Sequence, residues 1–293
     1  MNRGSLKLSF IFFRYQTLLR FSESRLGLLG LFIVIAWGLI ALLAPIISPQ
    51  GPFAQSDSYL HPPSFEHLAG TDHLGRDVFD RIIWGTRVSL VFAFGVAGIS
   101  IILGLLLGAI PGYAGGIVDL IFSRSTEIFL VIPRLLLLIL ASAVFGVDIL
   151  LTMVLVGLII WPTNAKITRA QVLTLKYRVF VKASVASGSG HTKILFSHIL
   201  PNGIYPVIAN SALEMGFAII LEASLSFLGL GDPNHSSWGQ IIYNGRFYIG
   251  SWWLTLFPGL TITSLVIGFN FIGDGINYVL NPKFKQRKIS THK

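Results

Sequence analysis

The chain has 293 residues, of which 53% are hydrophobic and only 12% are charged, and its formal net charge at pH 7 is +9. A soluble globular domain carries about 25% charged residues, so this composition excludes an ordinary soluble fold and predicts that most of the chain lies in lipid. Cysteine is absent, which excludes disulfides and thiolate metal sites, and the basic residues lack the aromatic-and-basic motifs that would favour nucleic acid.

Apolar segments long enough to cross a bilayer follow one another along the chain. A hydrocarbon core about 30 Å thick needs about 20 apolar residues in a helix. The segments that meet this condition are residues 26–56 (whose apolar core ends near two prolines), 88–118, 117–147, 149–165, 203–231 and 252–272. The sequence therefore predicts an all-α membrane protein with six transmembrane helices, the third and fourth separated only by residues 146–148.

The distribution of Lys and Arg predicts the orientation of these helices. Basic residues collect in three regions, namely the N-terminal segment, the segment after the fourth span and the C-terminal tail, whereas the loop after the first span is rich in Asp and Glu. Cytoplasmic loops carry an excess of Lys and Arg, and an even number of spans places the three basic regions on one side. We expect a multi-pass protein of the cytoplasmic membrane with both termini in the cytoplasm. The predicted organisation is a cytoplasmic N-terminal segment (1–25), a first transmembrane helix (26–48), an extracytoplasmic loop (49–84), a transmembrane core (85–280) that contains a cytoplasmic loop (166–202), and a cytoplasmic tail (281–293).

A polar stretch in that cytoplasmic loop, ASVASGSGHTKILFSHILP at residues 183–201, has two competing interpretations. As an active site, Ser189 would be the nucleophile and His191 the base. However, residues two apart face different sides of a helix, and neither the G-x-S-x-G elbow nor the phosphate-binding G-x-x-x-x-G-K-[ST] motif is present. A membrane hydrolase with a reactive Ser189 is therefore the less favoured alternative.

The other interpretation is a surface that a partner protein grips. Apolar residues recur at helical spacing before Gly188 and Gly190, which end a helix, and a second amphipathic run precedes Pro201. Two short helices joined by a glycine corner would form a rigid protrusion with small residues, Ala183 and Ser184, on its surface. Residues alone do not separate this possibility from a helix that lies on lipid headgroups.

Three long motifs resemble one family of membrane proteins. They are HLAGTDHLGRDVFDRIIWGTRVSL at residues 67–90, EASLSFLGLGDPNHSSWGQII at 222–242 and PGLTITSLVIGFNFIGDGINYVLNP at 258–282. The chain is similar, from RFSESRLGLLGLFIV onward, to the permease subunits of ATP-binding-cassette importers for dipeptides and oligopeptides, in particular the C-type partner of the permease pair.

The resemblance implies a role for the 183–201 stretch. In that family the loop between the fourth and fifth spans carries an E-A-A-x3-G-x9-I-x-L-P motif, which forms a coupling helix that docks on an ATPase subunit. Its counterparts here are Lys182, Ala183, Ser184, Gly188, His198, Leu200 and Pro201. Lys182 replaces the acidic residue and reverses the sign of one contact, and Ser184 replaces the second alanine.

The resemblance also implies partners and cargo. It implies a second, different permease chain, two ATP-hydrolysing subunits, an extracytoplasmic substrate-binding protein and surrounding membrane lipid, with a short peptide as cargo. The chain would have no ATPase site, catalytic residue, metal site or cofactor of its own. The alternatives are a permease for nickel or another small solute, and a stand-alone channel or secondary carrier, which would transport without ATPase subunits.

Ionisable residues within the spans are candidates for the translocation pathway, because charges at membrane depth are costly and usually line a cavity or pair. Glu222 is expected to have a structural or gating role, or else to contact substrate, and Glu214 lies on a similar helical face. Arg134 could meet a substrate carboxylate, pair with a glutamate or extend toward the headgroups.

Near the outer ends of the spans, Asp72, Arg76 and Asp77 are expected to form local salt bridges or helix caps, and tryptophans are expected to form an interfacial belt. These tryptophans are Trp84, Trp238, Trp252 and Trp253.

Overall fold

The computed structural model describes residues 21–280, and within this part of the chain the secondary structure is helical, without a β-strand. Residues 1–20 of the predicted N-terminal segment and the whole predicted tail, 281–293, lie outside the described residues. The helices are α1 (Arg25–Ile47), α2 (Val78–Ala114), α3 (Gly116–Val131), α4 (Arg134–Phe145), α5 (Ile149–Lys176), α6 (Val179–Ala186), α7 (His191–Lys193), the π-helical turn π1 (Ile194–Ile199), α8 (Leu200–Gly203), α9 (Tyr205–Leu225), the π-helical turn π2 (Ser226–Leu230), α10 (Trp238–Gly245) and α11 (Trp253–Leu280).

Five helical segments are long and apolar enough to cross a membrane, namely α1, α2, α5, α9 with π2, and α11. A sixth span exists only if α3 and α4 are taken together, and these two helices are bent by 80° at a short break. Pro133 explains the break, because proline disfavours the helical conformation of the preceding residue, and Ile132 is indeed extended. The all-α membrane fold is confirmed, and the span predicted over residues 117–147 consists of two helices, α3 and α4, that meet at this bend.

Two of the spanning helices extend well beyond the predicted hydrophobic segments. Helix α2 begins at Val78, where the Asp77 carboxylate accepts hydrogen bonds from the backbone N–H groups of Phe79 and Asp80. Its 37 residues extend about 55 Å at 1.5 Å per residue, which is more than the hydrocarbon thickness. Helix α5 continues to Lys176, so that the first part of the predicted loop 166–202 is an extension of a span. Both helices therefore carry packing surfaces outside the apolar part of the membrane.

Glycines allow the spanning helices to approach one another closely. A Cβ atom on Gly104 of α2 would lie 2.5 Å from the Cβ atom of Asn164 on α5, and one on Gly108 would lie 2.3 Å from the Ala165 carbonyl oxygen. Similarly, a Cβ atom on Gly30 of α1 would lie 2.5 Å from the carbonyl oxygen of Gly268 on α11. Close backbone approach at small residues is the usual basis of helix packing in membranes. The first helix is thus packed against the core rather than set apart from it.

The end of the bundle that carries residues 48–77, called here the loop side, is held by buried tryptophans. The indole Nε1 of Trp238 donates to the Ile82 carbonyl at 3.0 Å, and that of Trp253 donates to the Thr71 carbonyl at 3.0 Å. Both side chains are at most 5% exposed. The predicted interfacial belt was therefore wrong for these two residues, because each indole N–H has a carbonyl partner inside the protein and no longer needs water.

Candidate functional site

Residues 179–201 fold back on themselves and form a helical hairpin, called here the 179–201 hairpin. Its first arm is α6, its second arm consists of α7, π1 and the start of α8, and the arms meet at Gly188. Gly188 has φ +74°, the left-handed conformation that favours glycine after a helix. The glycine corner predicted from the sequence is therefore present.

One face of the hairpin is buried against the ends of the spanning helices. Val181 of the first arm and Ile194, Leu195 and Ile199 of the second arm are at most 5% exposed. They form an apolar cluster with Ala109 of α2 and Val172 of α5. The hairpin is thus packed on the protein, which argues against a helix that merely lies on headgroups.

Polar contacts fix the hairpin and the end of α5 to neighbouring helices. The Lys176 ammonium donates to the Tyr113 carbonyl at 2.6 Å, and the Tyr113 hydroxyl lies 2.9 Å from His191 Nδ1. The guanidinium of Arg169 binds both carboxylate oxygens of Asp119 on α3, at 2.5 and 2.6 Å. Bidentate pairs of this kind add geometric specificity as well as interaction energy. Sequence reasoning missed these residues, because the pairs join positions about 50 or more residues apart.

The predicted coupling residues lie on both arms of the hairpin. Lys182 and Ala183 of α6, Gly188 at the corner and Pro201 of α8 are exposed, whereas Ser184 and His198 are half-buried. Leu200 is also half-buried and packs against the apolar cluster. Its side chain therefore contributes to holding the hairpin in place, while Lys182, Ala183 and the corner at Gly188 form the exposed surface.

A catalytic Ser189 would need the imidazole of His191 as its base, but the hairpin does not contain this pair. The imidazole of His191 contacts Tyr113, with ring centroids 5.8 Å apart, and the backbone N–H of Ser189 donates to the Ser184 carbonyl. His191 thus serves as a contact between the hairpin and α2. The geometry favours a docking surface over an active site.

A second polar site lies between the spanning helices around Glu214 of α9. One carboxylate oxygen accepts hydrogen bonds from Ser100 of α2 at 2.9 Å and from Asn164 of α5 at 2.8 Å. The other accepts from Asn210 at 3.0 Å. Asn164 also donates to Ser211 at 3.1 Å. Three spanning helices therefore meet at one buried, fully hydrogen-bonded group, which satisfies the requirement for burying polar atoms at this depth.

Arg134 lies near this network without joining it. Its guanidinium carbon is 5.2 Å from the centre of the Phe217 ring, and its charge acts electrostatically on Glu214. Among residues 21–280, no carboxylate lies within 4 Å of the guanidinium. The structure therefore places Arg134 beside a predicted pathway residue, at the start of α4 and directly after the bend.

Glu222 is separated from that network and lies closer to the loop side. It is 3% exposed, and its Oε1 accepts a hydrogen bond from Ser226 at 2.8 Å. Its Oε2 has no partner among the described residues. Of the three predicted pathway residues, Arg134 and Glu214 are thus close together, and Glu222 belongs to a different place.

At the loop side, one carboxylate binds two arginines. Asp72 Oδ2 accepts from Arg76 Nε and from Arg81 Nη1, both at 2.7 Å, and Asp72 is fully buried. Burial alone would raise the pKa of Asp72, but Arg81, Arg76 and the backbone N–H groups of Leu74 and Arg76 outweigh it and hold the pKa below its usual value. The expected salt bridging is confirmed, and the expected helix cap is provided by Asp77.

Comparisons with known proteins agree with this architecture. Residues 83–286 match the family described as the binding-protein-dependent transport system inner membrane component, and residues 13–63 match the N-terminal transmembrane domain of oligopeptide transport permease C. The chain is 37% identical over 267 residues to the dipeptide transport system permease protein DppC of Alkalihalophilus pseudofirmus, which covers 90% of this chain and 88% of that protein.

Two further relatives have similar coverage. The dipeptide transport system permease protein DppC of Haemophilus influenzae is 36% identical over 275 residues, 91% of this chain and 93% of its own length. The di/tripeptide transport system permease protein DppC of Pseudomonas aeruginosa is 36% identical over 274 residues, 90% of each chain. The chain therefore belongs to the family of inner-membrane permease components of binding-protein-dependent transport systems.

Proposed function

We propose that this chain is one of two permease subunits of an ATP-binding-cassette importer and forms half of a transmembrane pathway for dipeptides or oligopeptides. The names of the relatives support the peptide cargo. The observation that carries the mechanism is the 179–201 hairpin, whose apolar face is buried on α2 and α5 while Lys182, Ala183 and Gly188 remain exposed.

The partners proposed are a second, different permease chain, two ATP-hydrolysing subunits and an extracytoplasmic substrate-binding protein. ATP-driven closure of the ATPase subunits would displace the hairpin. The Arg169–Asp119 pair and the Lys176–Tyr113 contact support this role, because they connect the last part of α5, directly before the hairpin, to α3 and α2. Such a partner shifts the permease between two states by its different affinity for each of them.

The proposed orientation places the hairpin in the cytoplasm and the loop side outside. It is supported by the basic residues of the segment 166–202 and by the acidic residues of the segment 49–84. Both termini would then lie in the cytoplasm, as expected from an even number of spans.

Within the membrane, we propose that Glu214 and Arg134 border the translocation pathway and that Glu222 has a structural or gating role. The support is the position of Arg134 directly after the bend between α3 and α4, where a change in the bend would alter its distance from Glu214. Glu222 lies where α9 continues into π2.

The absence of cysteine in the natural chain allows single-cysteine tests of this function. In intact cells, a membrane-impermeant maleimide should label Tyr59→Cys on the loop side and leave Ala183→Cys unlabelled. In isolated membranes, a short cross-linker should join Ala183→Cys to an ATPase subunit. Labelling of Ala183→Cys from outside, or cross-linking of Tyr59→Cys to an ATPase, would contradict the proposal.

A further inference from the structure

A groove of about 350 Å³ opens between α2 and the start of α5. Its walls are apolar and its rim carries charged and polar side chains. The lining residues used below are Trp84, Arg87, Val88, Val91, Leu150 and, at the rim, Asp148 and His235. None of these residues belongs to the hairpin or to the Glu214 network.

The groove lies at the depth where the membrane interface is expected. Helix α1 ends at Ile47 and α5 begins at Ile149. The Trp84 indole Nε1 donates to the Ser48 carbonyl at 3.1 Å, which places this tryptophan at the same level as the end of α1. Tryptophan prefers the headgroup level of a bilayer. The polar rim therefore lies at the headgroups, and the apolar walls continue into the hydrocarbon.

Two opposite charges line this groove without pairing with each other. The exposed Arg87 has its guanidinium carbon 5.2 Å from the centre of the Trp84 ring, and no carboxylate among residues 21–280 lies within 4 Å of it. Asp148 uses one oxygen to accept from the backbone N–H of Leu151 at 2.8 Å. By contrast, His235 is engaged by Asp232 at 3.0 Å. The rim thus offers one cation and one anion to a ligand that carries both charges.

We propose that the groove binds a glycerophospholipid with an ethanolamine headgroup. Its phosphate would accept hydrogen bonds from Arg87, and its ammonium group would donate to Asp148. Charge-assisted hydrogen bonds of both kinds are stronger than neutral ones. One acyl chain would cover Val88, Val91 and Leu150.

The apolar walls favour a lipid over a soluble zwitterion such as a peptide. Val91 is 63% and Leu150 is 59% exposed, and both side chains line the groove. A lipid tail covers such surface, whereas a short hydrophilic ligand leaves it bare. An anionic lipid without an amine would satisfy Arg87 but would bring its charge near Asp148. This inference does not depend on the identity of the cargo.

The test uses the transporter complex purified from native membranes, stripped of lipid in detergent and titrated with phosphatidylethanolamine or phosphatidylglycerol, with bound lipid counted by native mass spectrometry. We expect the wild-type complex to bind phosphatidylethanolamine at least tenfold more tightly than phosphatidylglycerol. Arg87→Gln should weaken phosphatidylethanolamine binding about tenfold, a typical effect of losing a charge-assisted contact. Asp148→Asn should abolish the preference between the two lipids while keeping the helix cap, because Asn and Asp cap helices equally well.

A pair of tryptophan substitutions controls for effects on folding. Val91→Trp fills the groove and should remove the bound lipid, whereas Ile121→Trp, at a 62% exposed position on α3, should leave it in place. Both variants should elute from a sizing column and melt like the wild type.

Four outcomes would overturn the assignment. They are equal affinity for the two lipids in the wild type, unchanged lipid binding in both Arg87→Gln and Val91→Trp, displacement of the lipid by a dipeptide, and cross-linking of Val91→Cys to another subunit in native membranes. The last result would make the groove a subunit interface.

Discussion

At the level of single residues, two guanidinium groups share the carboxylate of Asp72 on the loop side. Arg81 is 1% exposed, and the guanidinium of Arg76 acts on it with a charge of the same sign. Removing one partner of a buried ion pair leaves the other charge uncompensated. The stability of the loop side therefore depends on this one carboxylate.

The substitution Asp72→Asn should lower the free energy of unfolding by about 3–5 kcal/mol, the usual cost of breaking a buried pair. The control is Asp57→Asn, which removes an exposed carboxylate and should change stability by less than about 0.5 kcal/mol. Thermal unfolding of the purified complex measures both effects. Equal melting temperatures for the two variants would contradict the assigned role of Asp72.

The same carboxylate predicts a dependence on pH. Because the folded-state pKa of Asp72 is below its usual value of 3.8, its contribution to stability is complete above the unfolded pKa and is lost as the pH falls through the folded pKa. Melting temperatures measured between about pH 5 and pH 3 should fall less steeply in Asp72→Asn than in the wild type. Parallel curves would show that this carboxylate has no pKa difference between the two states.

Gly188 provides a residue-scale test of the hairpin. Its φ of +74° costs a residue with a Cβ atom about 1–2 kcal/mol, although no atom lies within 4 Å of the position where that Cβ would be. Gly188→Val should therefore lower the peptide uptake per ATP hydrolysed on the order of tenfold, while Gly188→Asn should retain most of it, since asparagine tolerates this conformation. Gly190→Ala, at φ −65° and in open space, should behave as wild type. Full coupling in Gly188→Val would argue against a required corner.

Sequence reasoning identified Glu214 as a buried ionisable residue but not its partners. Charge within an apolar span is visible in a sequence, whereas the hydrogen bonds from Ser100 and Asn164 depend on how three helices are rotated and packed. Arg134 was left with three possible roles for the same reason. Its place over Phe217 follows from the bend before α4. Pro133 indicates in the sequence that a bend is present, but it does not predict the angle.

At the level of secondary-structure elements, the central packing is the seam between α2 and α5. Gly104 faces Asn164 and Gly108 faces the Ala165 carbonyl at distances that leave no room for a side chain. Asn164 is also one of the donors to the Glu214 carboxylate. The seam thus positions the polar network as well as the two helices.

Substitutions at two glycines of α2 distinguish the effect of close packing on stability from the effect of helix propensity. Gly104→Leu should destabilise the complex by at least about 1–3 kcal/mol, the cost of overpacking, because its Cβ atom would overlap Asn164. Gly98→Leu has open space within 4 Å and should be neutral or slightly stabilising, since leucine is the better helix former. The measurement is the fraction that remains monodisperse on a sizing column after heating. Similar losses of monodisperse protein in the two variants would contradict the close contact assigned to Gly104.

Element boundaries were predicted less well than element types. Hydrophobicity indicates where α2 and α5 cross the membrane, but their extensions to Val78 and Lys176 depend on the Asp77 cap and on contacts with Tyr113. The 80° change of direction at Pro133, within the third span, was not predicted, because hydropathy alone does not register it.

At the level of the whole molecule, composition was sufficient for the membrane class, and the charge distribution supports the proposed orientation of the loops. The long motifs were sufficient for the family, since they extend over most of the chain. The buried face of the hairpin needed the structure, because only the fold shows that Ile194, Leu195 and Ile199 are buried while Lys182 and Ala183 are exposed.

The central claim is that energy reaches this permease from outside the chain, through the 179–201 hairpin. Its most direct test is uptake of a labelled dipeptide into proteoliposomes that contain either the chain alone or the full complex copurified from native membranes with its binding protein. We predict uptake only by the complex and only with ATP, and its loss when Ala183→Cys is cross-linked permanently to an ATPase subunit. Uptake by the chain alone, without ATP, would contradict the account.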